Sequence, residues 1–356
     1  MRDDDHVSDF VETVRIENFG CVRNARLELT QLHALIGPND SGKSTVLSAL
    51  RTMGELIRIG QNRLGDDSRL DPRGVAGSKI TMGSGRTELE CLRENVTWVF
   101  KISQDTASRL FPVEVMSIPL ADGVTHELAE PAQGATLIRW DPDAIRRPCE
   151  LIPEGRSLTI GEKGDGIPAI YEAILSRDRA AFDEIEASVR RHFPTIKSIW
   201  LPTSSDSKKA LGVILNDGTK IHADVMSEGL LYWLAFAVLP HVDPTAILLI
   251  EEPENGLHPS RISEVMKVLR AVSSRMQVIL ATHSPLVINE LQPEEVTILT
   301  RDARTGTRAT RMDRTTHFQQ RQQVYALGEL WLSFADGTSE AALVANVDGD
   351  ASKTPG

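Results

Sequence analysis

The sequence predicts an α/β protein built around a phosphate-binding loop, with a mixed sheet, a block of antiparallel strands and a helical insertion. Three stretches carry that reading. The apolar run Leu32–Ile36 leads straight into Gly37–Ser44 (GPNDSGKS), after which Val46, Leu47, Leu50, Met53 and Ile57 recur on one helical face. The run Ala246–Ile250 ends in Glu251 and Glu252, with a helix expected over Ile262–Val272. The strand Val278–Leu280 ends at Ala281-Thr282, and His283 follows.

The other elements follow in chain order. Val14 and Ile16, then Ala25, Leu27 and Leu29, alternate as a strand pair with a turn near Gly20. Residues 60–85, rich in Gly, Arg, Asp and Ser, read as a loop. Thr87–Leu92, Thr97–Ile102 and Ala135–Trp140 alternate and read as antiparallel strands, and Pro168–Phe193 carries a helical core. Ile196–Leu201 and Leu211–Asn216 read as strands separated by the polar TSSDSKK, with a hairpin turn at Asn216-Asp217-Gly218. Ser227-Glu228-Gly229 opens a strongly apolar helix. The expected division is 1–60 as an N-terminal lobe, 61–220 as a strand and helix insertion, 221–335 as a C-terminal lobe, and 336–356 as a flexible tail.

Composition bounds the function. With 356 residues, 41% hydrophobic and 25% charged, the chain reads as an ordinary globular protein. Cys21, Cys91 and Cys149 form no CxxC pair, which points away from a disulfide framework or zinc site and towards a reducing, cytoplasmic setting. The acidic start MRDDDHVSDF is not a signal peptide, and no apolar run is long enough to span a bilayer. A net charge of −11 argues against a surface devoted to nucleic acid but leaves room for a local basic patch. Neither a fixed-period repeat nor a sustained heptad pattern is present.

The chemistry sits in four stretches. Gly37 and Gly42 let the backbone curl so that N–H groups face phosphates, Lys43 adds a positive charge, and the Ser44 hydroxyl is suited to Mg²⁺. The expected ATP contact runs Gly37, Pro38, Asn39, Asp40, Ser41, Gly42, Lys43, Ser44 and Thr45. Phosphoryl transfer to water needs one acid near the metal and one that orients the water, roles that fit Glu251 and Glu252 respectively. His283, at the tip of a following strand, suits a hydrogen bond to the γ-phosphate, although a lone histidine is more often structural. Ser227 reads both as a helix N-cap and, with Gly229, as a second anion site.

In that order, GPNDSGKS, SEG before an apolar helix, LLIEEPENGLHP and ATHSP resemble the Walker A, signature, Walker B with D-loop, and switch-histidine motifs of an ABC-type ATPase head. The phrasing is similar to the OLD, RecF and SMC-like group, often described as AAA-type ATP-binding proteins, over roughly residues 13–55 and 195–300. The resemblance implies ATP and Mg²⁺ as cofactors, with Ser44 and Glu251 on the metal. It makes Lys43, Glu252 and His283 catalytic. It also implies a homodimer or higher oligomer in which Ser227 and Gly229 of one copy close on ATP held by the other.

Four departures stand out: Asp40 where glycine is frequent, Glu251 where aspartate is usual, SEG in place of SGG, and no clear Q-loop glutamine beyond Gln104. Asp348-Gly349-Asp350 reads as solvated tail, and the chain ends too soon after His283 for a Toprim nuclease. The expected role is therefore an ATP-gated switch for a separately encoded effector, nuclease-like, in bacterial anti-phage defence. The alternative is a RecF- or SMC-like clamp that grips duplex DNA, motivated by Arg301, Arg304, Arg308, Arg311, Arg314 and Arg321.

Overall fold

The computed structural model describes residues 10–59, 74–84, 87–94, 97–103, 134–302, 306–315 and 326–329. Gln104, Arg304, Arg321 and Asp348-Gly349-Asp350 lie outside them, as does the tail 336–356. Among the described residues no helix is long and apolar enough to cross a membrane.

The chain opens with β1 (Thr13–Phe19) and β2 (Val22–Glu28), paired antiparallel, then β3 (Leu32–Ile36) and α1 (Lys43–Ile59). β4 (Gly74–Ser84), β5 (Thr87–Glu94) and β6 (Thr97–Ser103) complete a five-stranded sheet of order β2-β1-β4-β5-β6. β4 corrects the loop expected over 60–85 across residues 74–84, while 60–73 and 85 lie outside the described residues. Its glycines and serines hide an alternation in which Ile80 and Met82 are fully buried and lie opposite Ile16 and Val14.

Next come β7 (Ala135–Ile138), α2 (Pro142–Arg146), β8 (Cys149–Glu150), α3 (Ile167–Arg177) and α4 (Arg179–His192). The stretch expected as one helical core is thus two helices. They break at Asp178, whose carboxylate caps α4 by accepting from the Ala181 N–H at 3.0 Å. β9 (Ile196–Trp200), β10 (Thr203–Ser205), β11 (Lys208–Lys209), β12 (Gly212–Leu215) and β13 (Lys220–His222) form two small antiparallel sheets, β10-β11-β8 and β13-β12-β9. The polar TSSDSKK is therefore itself a hairpin. α5 (Glu228–Ala237), β14 (Ile247–Glu251), α6 (Pro259–Ser273), β15 (Gln277–Thr282), α7 (Pro285–Ile288), β16 (Val296–Asp302) and β17 (Gly306–Arg311) finish the series.

The central sheet is mixed, with order β17-β16-β3-β15-β14-β7. β3 runs parallel to both β15 and β16, while β17 turns back antiparallel to β16. β3 and β15 are buried at every residue, which accounts for their mostly apolar sequences; the polar His33, Gln277 and Thr282 within them are buried too. β7, expected among the antiparallel strands, joins this sheet as an edge strand instead.

Two compact units emerge. The first comprises the described residues of Met1–Ala135, Ala246–Leu249 and Met276–Gly356. There α1 packs on β1, β4 and β15 through the buried Val46, Leu47, Leu50 and Met53. The second comprises Thr136–Thr245 and Ile250–Arg275. Its core gathers Tyr171, Ile185, Leu231, Trp233 and Phe236, and the Tyr171 hydroxyl donates to the Leu234 carbonyl at 2.9 Å.

Candidate functional site

In the first unit the phosphate loop spans the gap between β3 and α1. Gly37, at φ +154, has no room for a side chain: a Cβ would lie 2.6 Å from Ser41 Oγ and nearer still to the Leu299 carbonyl oxygen. Gly42, at φ +105, is in the left-handed half of conformational space, and a Cβ there would meet Thr307 Oγ1 at 2.6 Å. Asp40 also adopts positive φ, +64, and is exposed. That backbone shape accounts for the usual glycine at this position, and aspartate is among the few residues that tolerate it. Exposure keeps its carboxylate on the solvent side of the loop.

The loop is braced from behind. Thr307 Oγ1 donates to the Ser41 carbonyl at 3.0 Å, and Cys21 Sγ lies 3.3 Å from Thr45 Oγ1. On its inner side the Lys43 ammonium donates to the Gly37 and Pro38 carbonyls at 2.7 and 2.9 Å, bridging the mouth of the loop. The Ser41 hydroxyl is buried without a hydrogen-bond partner. A buried lysine that donates to two neutral carbonyls beside an orphaned hydroxyl fits an anionic phosphate chain, which supplies acceptors to both. β15 pairs with β3 so that Thr282 lies opposite Ile36. His283 therefore leaves the sheet at the same edge as Gly37, one strand away.

The second unit assembles the acidic and signature residues. Glu251 ends β14, and its carboxylate forms an ion pair with the Arg139 guanidinium just beyond β7. Glu252 has φ +50, a strained conformation for a non-glycine residue and one that concentrates at functional sites. Its carboxylate accepts from Asn255 Nδ2 at 2.6 Å, and its carbonyl accepts from the Asn255 N–H at 3.0 Å. A turn follows, closed by the Leu257 N–H donating to the Glu254 carbonyl at 3.1 Å, with Gly256 at φ +69 in its third position.

That turn abuts the signature helix. A Cβ on Gly229 would lie 3.0 Å from the Gly256 carbonyl oxygen, and one on Gly256 would lie 2.5 Å from Tyr232 Cδ2. Ser227 is the N-cap of α5, accepting weakly from the Leu230 N–H at 3.4 Å, and both Ser227 and Glu228 are exposed. Arg146 holds the approach to this cap by donating to the Ala223 and Met226 carbonyls at 3.2 and 3.3 Å. Capping occupies Ser227 without burying it, so its two readings remain compatible.

The arginine-rich stretch is partly committed within the chain. Arg314 pairs with Glu28 at 2.6 Å, and Arg311 pairs with both Glu28 and Asp313. These contacts hold the Glu28 and Asp313 carboxyls below their ordinary range, with the Arg314 and Arg311 side-chain hydrogen bonds as the respective main causes. Arg139 and Tyr232 escaped the sequence reading, whereas Asn255 and Gly256 fall in the stretch Glu254–His258 that the resemblance reads as a D-loop at a dimer seam. An Asn-Gly pair beside two acids was a legible turn signal. A single arginine after the short run Thr136–Ile138 carried none.

A glycine loop between a strand and a helix, with its lysine buried, defines a P-loop nucleotide-binding protein. Comparisons with known proteins refine the class. Residues 10–62 match the family described as "AAA ATPase domain", and residues 161–289 match "AAA domain, putative AbiEii toxin, Type IV TA system". Among solved structures, a SmcHead bound to the C-winged helix domain of ScpA aligns with TM-score 0.56 at 13% identity, covering 85% of this chain and 97% of that one. The SMC head domain from Thermotoga maritima aligns with TM-score 0.46 at 13% identity, over 85% and 98%. The fold assignment rests on the first of these. Two segments of the chain are thus similar to AAA-type ATPase families, and its fold is that of an SMC head.

Proposed function

We propose that this protein hydrolyses ATP with Mg²⁺ and works as an ATP-gated dimerising switch. The observation that carries the reading is the P-loop itself, with a buried Lys43 on the Gly37 and Pro38 carbonyls and an orphaned Ser41 hydroxyl beside it. The loop from Gly37 to Thr45 holds the phosphates, and Ser44 and Glu251 supply hard oxygen donors for the metal. When bound, Mg²⁺ neutralises charge on the phosphate oxygens. Glu252, steadied by Asn255, orients the attacking water, and His283 donates to the γ-phosphate. Ser227 and Gly229 of a second copy complete the site, so hydrolysis and association are linked.

The switch controls a separate effector, nuclease-like, in bacterial anti-phage defence. The toxin–antitoxin wording of the family matched by residues 161–289 supports a defence role. The SMC-head fold favours a second reading, a clamp on duplex DNA. Against it, Arg311 and Arg314 are already engaged by Glu28 and Asp313, and the net charge is −11.

Mass measurement of Glu252→Gln with ATP and Mg²⁺ tests the switch. A stable dimer or effector complex is expected, lost when Ser227→Ala and Gly229→Ala are added. A Glu252→Gln chain that binds ATP yet stays monomeric without any partner contradicts it.

A further inference from the structure

The carboxylate assigned to the metal already has a cation on it. Arg139 and Glu251 stand at the ends of β7 and β14, neighbours in the central sheet, and their side chains form an ion pair. Arg139 does not lean on Glu251 alone. Its Nη1 lies 3.7 Å from Glu162 Oε1, and its backbone N–H donates to the Glu162 carbonyl at 2.7 Å. The backbone is thus pinned while the guanidinium reaches two carboxylates. Glu251 and Glu162 side chains are 20% and 33% exposed, and the Arg139 side chain is 36% exposed, so the guanidinium can move without breaking a core.

Guanidinium stays charged at any physiological pH, and its fork of donors matches carboxylate geometry. Mg²⁺ instead demands compact oxygen donors, and a guanidinium on the same carboxylate weakens that ligand by repelling the metal's charge. We propose that Arg139 is a resident counter-ion of Glu251, which Mg²⁺-nucleotide must displace, and that Glu162 receives the guanidinium when it leaves. Arg139 is then a positioning residue that sets how much Mg²⁺ the chain needs before it holds ATP tightly. This rests on the proposed metal role of Glu251. Nucleotide or metal arriving alone meets an occupied carboxylate, which guards the site against loading out of order.

The test uses full-length chains carrying Glu252→Gln, to prevent turnover, and a fluorescent ATP analogue titrated with MgCl₂. Removing the resident charge with Arg139→Met lowers the Mg²⁺ concentration for half-maximal binding by about tenfold, since one nearby unit charge is worth at least that factor. Glu162→Gln removes the second anchor, leaves Arg139 on Glu251 and raises the Mg²⁺ requirement. Opposite shifts from two variants are not what simple loss of structure produces, and thermal unfolding checks that each chain is folded. An unchanged or raised requirement in Arg139→Met, or a lowered one in Glu162→Gln, overturns the inference while leaving the ATPase reading intact. Binding indifferent to Mg²⁺ overturns the inference and the metal role of Glu251 together. Failure of the parent to bind nucleotide at any Mg²⁺ concentration overturns the P-loop reading itself.

Discussion

Replacing Gly256 by alanine tests whether the turn after Glu252 is mechanically seated on the signature helix. Two costs arise separately. At φ +69 a side chain is strained whatever surrounds it, a penalty of about 1–2 kcal/mol. The new Cβ would also stand 2.5 Å from Tyr232 Cδ2, where something must shift. Tyr232 is buried on α5 between Leu231 and Trp233, both buried, so retreat is obstructed and overpacking adds about 1–3 kcal/mol. The expected loss is about 3 kcal/mol, a large share of a typical stability of roughly 5–15 kcal/mol. Urea unfolding at constant m-value measures it. A double-mutant cycle with Tyr232→Leu separates the terms: in that background Gly256→Ala should cost only its backbone part, with about 1–2 kcal/mol of coupling. Strict additivity, or a single-mutant cost well below 1 kcal/mol, refutes the steric argument.

Two further predictions follow. Lys43→Ala removes two hydrogen bonds to loop carbonyls and should cost stability no more than about 1–2 kcal/mol, yet ATP affinity should fall by about tenfold or more; calorimetric titration and melting curves read the two effects apart. His33 is fully buried between Thr30 and Thr297, and burial pushes its pKa from 6.5 down to about 3, with Arg311 adding to the shift. The folded state therefore binds fewer protons than the unfolded chain below pH 6.5. Its stabilising contribution is complete above 6.5 and is lost as pH falls towards 3, by up to about 1.4 kcal/mol per pH unit. His33→Gln should flatten the acid limb of stability against pH by up to about one proton, and an unchanged slope would contradict the assignment.

The parts legible in the sequence were those where local pattern and tertiary fate agree. β3, the glycine loop and α1 were readable because buried parallel strands are mostly apolar and the loop needs glycine at fixed places. β14 and β15 announced themselves in the same way, and Asn216-Asp217-Gly218 marked the β12–β13 turn. β4 stayed hidden because what makes it a strand is pairing with the distant β1, against a glycine- and serine-rich composition. β7 was visible as a strand, but its sheet was not, since membership depends on contacts far along the chain. The P-loop, Ser227, Glu252 and His283 could be picked out by motif. The Arg139–Glu251 pair could not, because nothing local connects residues more than a hundred positions apart. Positive φ at Glu252 was equally silent, as glutamate does not signal it, whereas Asp40, standing where glycine is frequent, is a residue type that tolerates it.

Single-turnover ATP hydrolysis by wild type and Glu252→Gln, with nucleotide affinity measured on both, tests the central claim most directly. Glutamine keeps the size and the left-handed backbone of Glu252 but cannot accept a proton from water. Affinity should hold while the rate of phosphate release drops by about 10²-fold or more. Equal rates in the two chains, or no ATP binding by the wild type, would contradict the account.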